Sequence, residues 1–173
     1  EISCSLVGSE MCIRDSSWML VLIKAVLQKT GSEYLTDVWP NMEVFFHGGI
    51  SFEPYRDQYK ALIPSDRMHY METYNASEGF FGLQDNPEEH SLLLMIDYSV
   101  FYEFIPINEV GEEHPTVLPL EAVEVGKNYA MVITTSGGLW RYQIGDTVRF
   151  TSLYPHKFVI CLLYTSPSPR DCS

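Results

Sequence analysis

A chain of 173 residues, 46% of them hydrophobic, has room for a packed core in one domain or in part of a larger one. Its formal charge of −12 excludes the clustered Lys and Arg that nucleic acids and anionic membranes select, but not a nucleotide site, where one or two charges and a metal ion suffice. The longest apolar run, Trp18 to Leu27, is too short for a bilayer and is broken by Lys24, and the acidic, polar start is no signal peptide; the expectation is a cytoplasmic protein with no membrane or nucleic-acid partner.

From the N-terminus, the four cysteines have an uneven placement. Cys4, Cys12, Cys161 and Cys172 all lie in the first 16 or last 13 residues, and both ends repeat an Arg-Asp pair, Arg14-Asp15 and Arg170-Asp171, in Ser-rich text. The strings SLVGSEMCIRDS and CLLYTSPSPRD look like translated sequencing-adapter read-through. Residues 1–16 and 161–173 are therefore expected to be foreign tails with little regular structure, and their cysteines carry no disulfide or metal argument.

Ser17 is placed to cap a helix through about Lys29, with Trp18, Val21, Leu22, Ala25 and Val26 on its apolar side and Gly31 as the stop. Met42 to Phe46 reads as a buried strand leading into the permissive turn His47-Gly48-Gly49. Pro54 suits the first turn of a second helix carrying Tyr55, Tyr59 and Leu62. Met68 to Tyr74 is a strand followed by the loop ASEGFFG, and Ser91 to Asp97 and Val100 to Ile107 are two more. The acidic stretch Glu109 to Pro119 is a surface connection. From Tyr129 the texture turns to short strands at Tyr129–Thr135, Leu139–Ile144, Thr147–Phe150 and Lys157–Ile160, with turns at Ser136-Gly137-Gly138 and Gly145-Asp146. The fold class is mixed α/β: residues 17–125 form an α/β segment that runs into an antiparallel, barrel-like segment at 126–160 of the same domain.

Three stretches carry chemistry. In HGG at 47–49, two glycines at a strand end let the backbone approach a flat ligand, although a tight turn explains them as well. In YNASEGFFG at 74–82, an aromatic residue at a strand end can stack on a base, and the hydroxyl and carboxylate of Ser77-Glu78 suit a phosphate and a Mg²⁺ ion. The plain structural reading there is a helix cap with Phe80 and Phe81 as core. In LWRYQIGDTVRF at 139–150, Asp146 can accept hydrogen bonds from two vicinal hydroxyls, or simply close a hairpin.

Taken in this order, the three stretches resemble the Gretchen Hagen family of acyl acid amido synthetases, which belongs to the adenylate-forming superfamily. The resemblance extends over SWMLVLIKAVLQKTG, VWPNMEVFFHGGISFEPYRDQY, YNASEGFFGLQ, LLLMIDYSVFYEFIPI and GLWRYQIGDTVRF, all similar to bacterial-type members. YNASEG is the counterpart of an aromatic-x-x-Thr-Glu loop. YQIGD is the counterpart of a Tyr-Arg-x-Gly-Asp signature, with Gln143 where Arg is commoner, which leaves Asp146 intact and removes a charged contact at 143. The resemblance implies an N-terminal-domain fragment of an adenylate-forming enzyme that uses ATP and Mg²⁺. It implies that Gly48 and Gly49 line the adenine pocket, that Tyr74, Asn75 and Ala76 belong to the nucleotide site, and that Asp146 holds the ribose. Ser77 and Glu78 would be catalytic, Ser77 near the α-phosphate and Glu78 as the metal ligand. The substrates implied are a small carboxylic acid, activated as acyl-adenylate with release of pyrophosphate, and an amine or amino acid that takes the acyl group. A Ser/Thr/Gly-rich phosphate loop is expected upstream and a lysine-bearing lid downstream, so this segment is expected to be inactive by itself.

Two alternatives come from other classes. One is a nucleotide-binding module without turnover. The other is a carboxylate-pair hydrolase using Glu72 and Glu78, which explains neither HGG nor YQIGD. The five histidines (47, 69, 90, 114 and 156) lack ligand spacing, so no zinc site is expected.

Overall fold

The structure, a computed structural model, describes residues 10–48 and 52–161, with side chains from Ser16 onward. The chain divides into two compact units, one up to Met95 and the other from Ile96, upstream of the change of texture near residue 125. Among the described residues no helix is long and apolar enough to cross a membrane.

The first unit begins with α1 (Glu10–Thr30), which starts inside the stretch expected to be an unstructured tail. Once a helix is nucleated, each added residue costs little, and Glu10, Met11 and Arg14 are good helix formers. Ser17 is therefore interior and not a cap. The buried positions of α1 are Ser16, Leu20, Ile23 and Leu27, at helical spacing. Trp18, Val21 and Leu22, expected on the buried side, are instead 61%, 58% and 53% exposed. This helix carries two apolar stripes, and packing selects one of them.

A short helix, α2 (Leu35–Val38), precedes β1 (Val44–Gly48), which runs two residues further than the apolar run suggested. Next comes α3 (Glu53–Leu62), with Pro54 in its first turn as expected. The helices cover one face of β1 and β2 (His69–Ala76). Leu20, Ile23, Leu27, Leu35, Phe52, Tyr59, Ile63 and Met68 form that core, with Phe45 and Tyr70 packed against it. The buried Tyr59 hydroxyl donates to the Ser16 carbonyl at 2.7 Å and ties α3 to α1.

β1 pairs parallel with β2, which needs the α3 crossover between them. β2, β3 (Gly79–Gln84) and β4 (Leu92–Leu94) then pair antiparallel. The expected loop ASEGFFG is thus a correction. Only Ser77-Glu78 form a turn, Ala76 faces Gly79, and GFFGLQ is a strand. The reason is burial: Phe81 is fully buried and Gln84 nearly so, which a solvated loop does not allow. The strand expected at Ser91 to Asp97 shrinks to three residues and is followed by a turn at 96–97.

In the second unit the strand order is β9-β8-β7-β5-β6, antiparallel throughout. The strands are β5 (Val100–Pro106), β6 (Leu118–Pro119), β7 (Asn128–Thr135), β8 (Tyr142–Leu153) and β9 (His156–Cys161). Alternation assigns the faces. Tyr102, Phe104, Tyr129, Met131, Ile133, Val148, Phe150 and Phe158 are buried, with Phe104 and Phe150 edge to face at 5.1 Å. Ile105, Ala130 and Val132 form a smaller cluster with Val117. The hairpin turn expected at Gly145-Asp146 is another correction. β8 is one continuous strand, and its register against β7 slips between Ala130 and Val132, so the pair sits in a bulge. Gly145 has φ +97°, a conformation that glycine adopts without strain.

Candidate functional site

In open α/β sheets ligands bind outside the carboxyl ends of the parallel strands. In the first unit that edge is made by the ends of β1 and β2. The register sets Gly48 beside Thr73, so the HGG stretch and the YNASEG stretch share one edge. Gly48 is required by contact. A Cβ there would lie 2.7 Å from the Thr73 carbonyl oxygen, 3.0 Å from its Oγ1 and 3.2 Å from Asn75 Oδ1. Thr73 Oγ1 donates to the His47 carbonyl at 3.1 Å, which closes the two strand ends together.

Beyond Thr73, Tyr74 is buried, and its ring packs on Phe81 at 5.2 Å and 56°. Phe81 is the extra residue of a bulge, since Tyr74 faces Gly82 while Asn75 faces Phe80. Asn75 is exposed, Ala76 partly buried, Ser77 exposed and Glu78 partly buried. Gly48, Tyr74, Asn75, Ala76, Ser77 and Glu78 therefore follow one another along one sheet edge and its turn. Gly49 lies outside the described residues. Asp146, partly buried in its bulge, belongs to the second unit.

Two groups at this edge were not singled out as site residues by the sequence. His47 is 9% exposed and stacks on Phe52 at 4.3 Å and 10°. Burial, with a smaller contribution from the Arg56 charge and partly offset by Glu53, pulls its imidazole down to about 4. Its Nδ1 and the Tyr70 hydroxyl are buried polar atoms with no hydrogen-bond partner among the described residues. Gln84, 5% exposed, is fully engaged: its Oε1 accepts from the Glu72 N–H at 2.8 Å, and its Nε2 donates to the carbonyls of Asn86 at 3.1 Å and Glu89 at 2.7 Å. Burial raises the Glu72 carboxyl above its ordinary range, against a smaller pull from His90.

Comparison with known proteins assigns the fold to a family. The GH3 family N-terminal domain profile matches residues 8–68, and the GH3 family central domain profile matches residues 93–161. The chain belongs to the GH3 family.

An indole-3-acetic acid-amido synthetase, GH3.4 of Arabidopsis thaliana, is 33% identical over 144 residues, which is 77% of this GH3 chain and 23% of that protein. The jasmonoyl–L-amino acid synthetase GH3.5 of Oryza sativa subsp. japonica is 33% identical over 150 residues, 72% of this chain and 24% of that one. This chain thus spans about a quarter of the length of these relatives. The solved structure of the acyl acid amido synthetase AtGH3.15 in complex with 2,4-DB shares the fold, with a TM-score of 0.58 at 24% identity, covering 73% of this chain and 22% of that one. Gly48 falls in the N-terminal match and Asp146 in the central one. The Ser77-Glu78 hairpin lies between the two.

Among the described residues no group of three or more His, Cys, Asp or Glu side chains is gathered to hold a metal. Mg²⁺ is usually held by one or two carboxylates together with substrate phosphates rather than by an all-protein cage. Glu78 at the turn is the carboxylate on this edge next to a hydroxyl side chain.

Proposed function

We propose that this GH3 chain is a segment of an ATP-dependent ligase that activates a small carboxylic acid as acyl-adenylate and passes the acyl group to an amine or amino acid. The observation that supports this best is the edge at which Gly48, at the end of β1, abuts Thr73 and Asn75 of β2, the strand that leads into the Ser77-Glu78 turn. That edge exposes backbone for a planar base and then a hydroxyl and a carboxylate for a phosphate and its metal. In this reading Gly48, Gly49, Tyr74, Asn75 and Ala76 form the base side of the site. Tyr74 acts there from a buried position, by fixing the edge against Phe81. Ser77 meets the α-phosphate, Glu78 holds Mg²⁺ and Asp146 holds the ribose. Bound Mg²⁺ supplies charge neutralisation as pyrophosphate departs.

The hydrolase alternative fits less well. Glu72 precedes the turn by five residues of β2, roughly 16 Å of strand, whereas paired glycosidase carboxyls lie within about 10 Å of each other. A module that binds ATP without turnover is separated by one assay. In the full-length protein that carries this segment, acid-dependent exchange of pyrophosphate into ATP is expected. Glu78→Gln should lower its turnover about a hundredfold, about 3 kcal/mol of barrier. Asp146→Ala should instead raise the Michaelis constant for ATP. Nucleotide binding with no exchange for any carboxylic acid would leave only the binding module.

A further inference from the structure

We propose that Arg141, tied to Glu103, is a positioning residue: the pair sets the upstream border of the β8 bulge and thereby holds Asp146 where it meets both ribose hydroxyls. This inference rests on the ribose role proposed above for Asp146 and adds the device that places it.

The bulge is long. Val132 pairs with Gln143 and Ala130 with Thr147, so Met131 alone stands opposite Ile144, Gly145 and Asp146. Such a segment follows its two borders, because its own ladder is interrupted. The downstream border is fixed by packing, since Thr147, Val148 and Phe150 are all buried. Upstream, no side chain is buried. Trp140 and Tyr142 are 81% and 37% exposed, and Arg141 and Gln143 are exposed as well. A strand stretch without buried side chains has a weakly specified register.

Arg141 supplies the missing constraint. Its N–H donates to Thr134 Oγ1 at 3.0 Å on the adjacent β7, and its Nε donates to Glu103 Oε2 at 3.0 Å on β5, two strands away. The second contact crosses about 10 Å of sheet. Ion pairs on open surface fix little, but Glu103 is an anchored partner. Its side chain is 17% exposed, and it is in register with the buried Val132, which itself pairs with Gln143. The backbone is an independent sign. Arg141 has φ +47°, a left-handed conformation that glycine adopts without strain and arginine does not. What arginine adds there over glycine is the contact with Glu103.

The test is a binding titration of the full-length protein with ATP and with 2′-deoxy-ATP, which needs no turnover. A carboxylate that meets both hydroxyls should give the wild type a preference for ATP of about tenfold or more. Asp146→Ala should abolish that preference. Arg141→Gly suits the backbone but removes the side chain, and Glu103→Met keeps the length without the carboxylate. Each should weaken ATP about tenfold and 2′-deoxy-ATP much less, which a merely structural role would not do. If either variant keeps the wild-type preference while Asp146→Ala loses it, the proposal is overturned and the ribose role stands. Glu103→Met decides by itself where Arg141→Gly does not fold. A preference that survives Asp146→Ala, or is missing from the wild type, overturns the ribose role and this proposal with it.

Discussion

Gln84 illustrates how one side chain can hold a site from behind. It satisfies the Glu72 N–H on the β2 side and two carbonyls of the β3–β4 connection. Replacing it by Leu keeps the bulk but leaves those groups buried and unpaired, at about 1–3 kcal/mol for each group that water does not reach. Gln84→Leu should therefore lower the urea midpoint clearly while leaving the slope of the transition unchanged. His47 gives a second residue-scale expectation, through pH. Its ordinary value is 6.5 and its folded value about 4, so between these the unfolded chain takes up a proton that the folded chain refuses. Stability on its account is complete above pH 6.5, falls as pH drops toward 4, and is level below that. Glu72 acts with the opposite sign: its contribution is complete below 4.5 and is lost as pH rises through its raised value. Melting temperatures of wild type and His47→Gln across pH 4–7 should differ in slope, with the variant flatter on the acid side. Parallel curves would refute the buried, neutral imidazole.

At the scale of elements, the β1–β2 pairing and the β2–β3 hairpin make one unit. The parallel pairing brings two distant glycine-containing motifs to one edge, and the bulge at Phe81 turns that ring inward beneath Tyr74. The closeness of β1 to β2 depends on the missing side chain at 48. Gly48→Ala places a methyl 2.7 Å from a backbone oxygen, which cannot rotate away as a side chain could. The strands must separate, at about 1–3 kcal/mol. The variant should melt lower without any nucleotide present, and its weaker binding of ATP would then follow from a displaced edge. An unchanged melting temperature would show that β1 yields at no cost. Gly145 is different in kind. Space is open around it, and what it supplies is the positive φ of the β8 bulge, which carries Asp146.

For the whole molecule, exposed apolar surface and the length of the relatives bear on the same question. Trp18, Val21 and Leu22 on α1, and Phe46 on β1, are each more than half exposed. On α1 the three exposed side chains lie within five residues, and clustered apolar surface favours association with another surface. The matched part of this chain spans about a quarter of the length of these relatives. The 173-residue chain, purified alone, should self-associate with rising concentration in sedimentation and bind a hydrophobic dye. A sedimentation coefficient independent of concentration would refute this reading of the exposed apolar surface.

Local chemistry settled what is local. Helix α3 with its Pro54, the stop of α1 at Gly31, strands β5 and β7 and the turn at Ser136-Gly137-Gly138 all follow from propensity and punctuation over a few neighbours. The ordered motifs at 47–49, 74–82 and 139–150 were enough to indicate the family, because they depend on residue identity and not on distance. What only the tertiary structure decided involves competition between distant segments. Two apolar stripes on α1 read alike in sequence, and packing against α3 and β1 chose Leu20, Ile23 and Leu27. A Gly-rich loop and a strand read alike at GFFGLQ until a neighbouring strand supplies a partner and a core for Phe81. Gly-Asp signals a hairpin locally, yet the ladder to β7 continues past it as a bulge. His47 and Gln84 looked unremarkable because their roles come from burial, and burial is fixed by what folds over a residue, not by the residue's own neighbours in the chain.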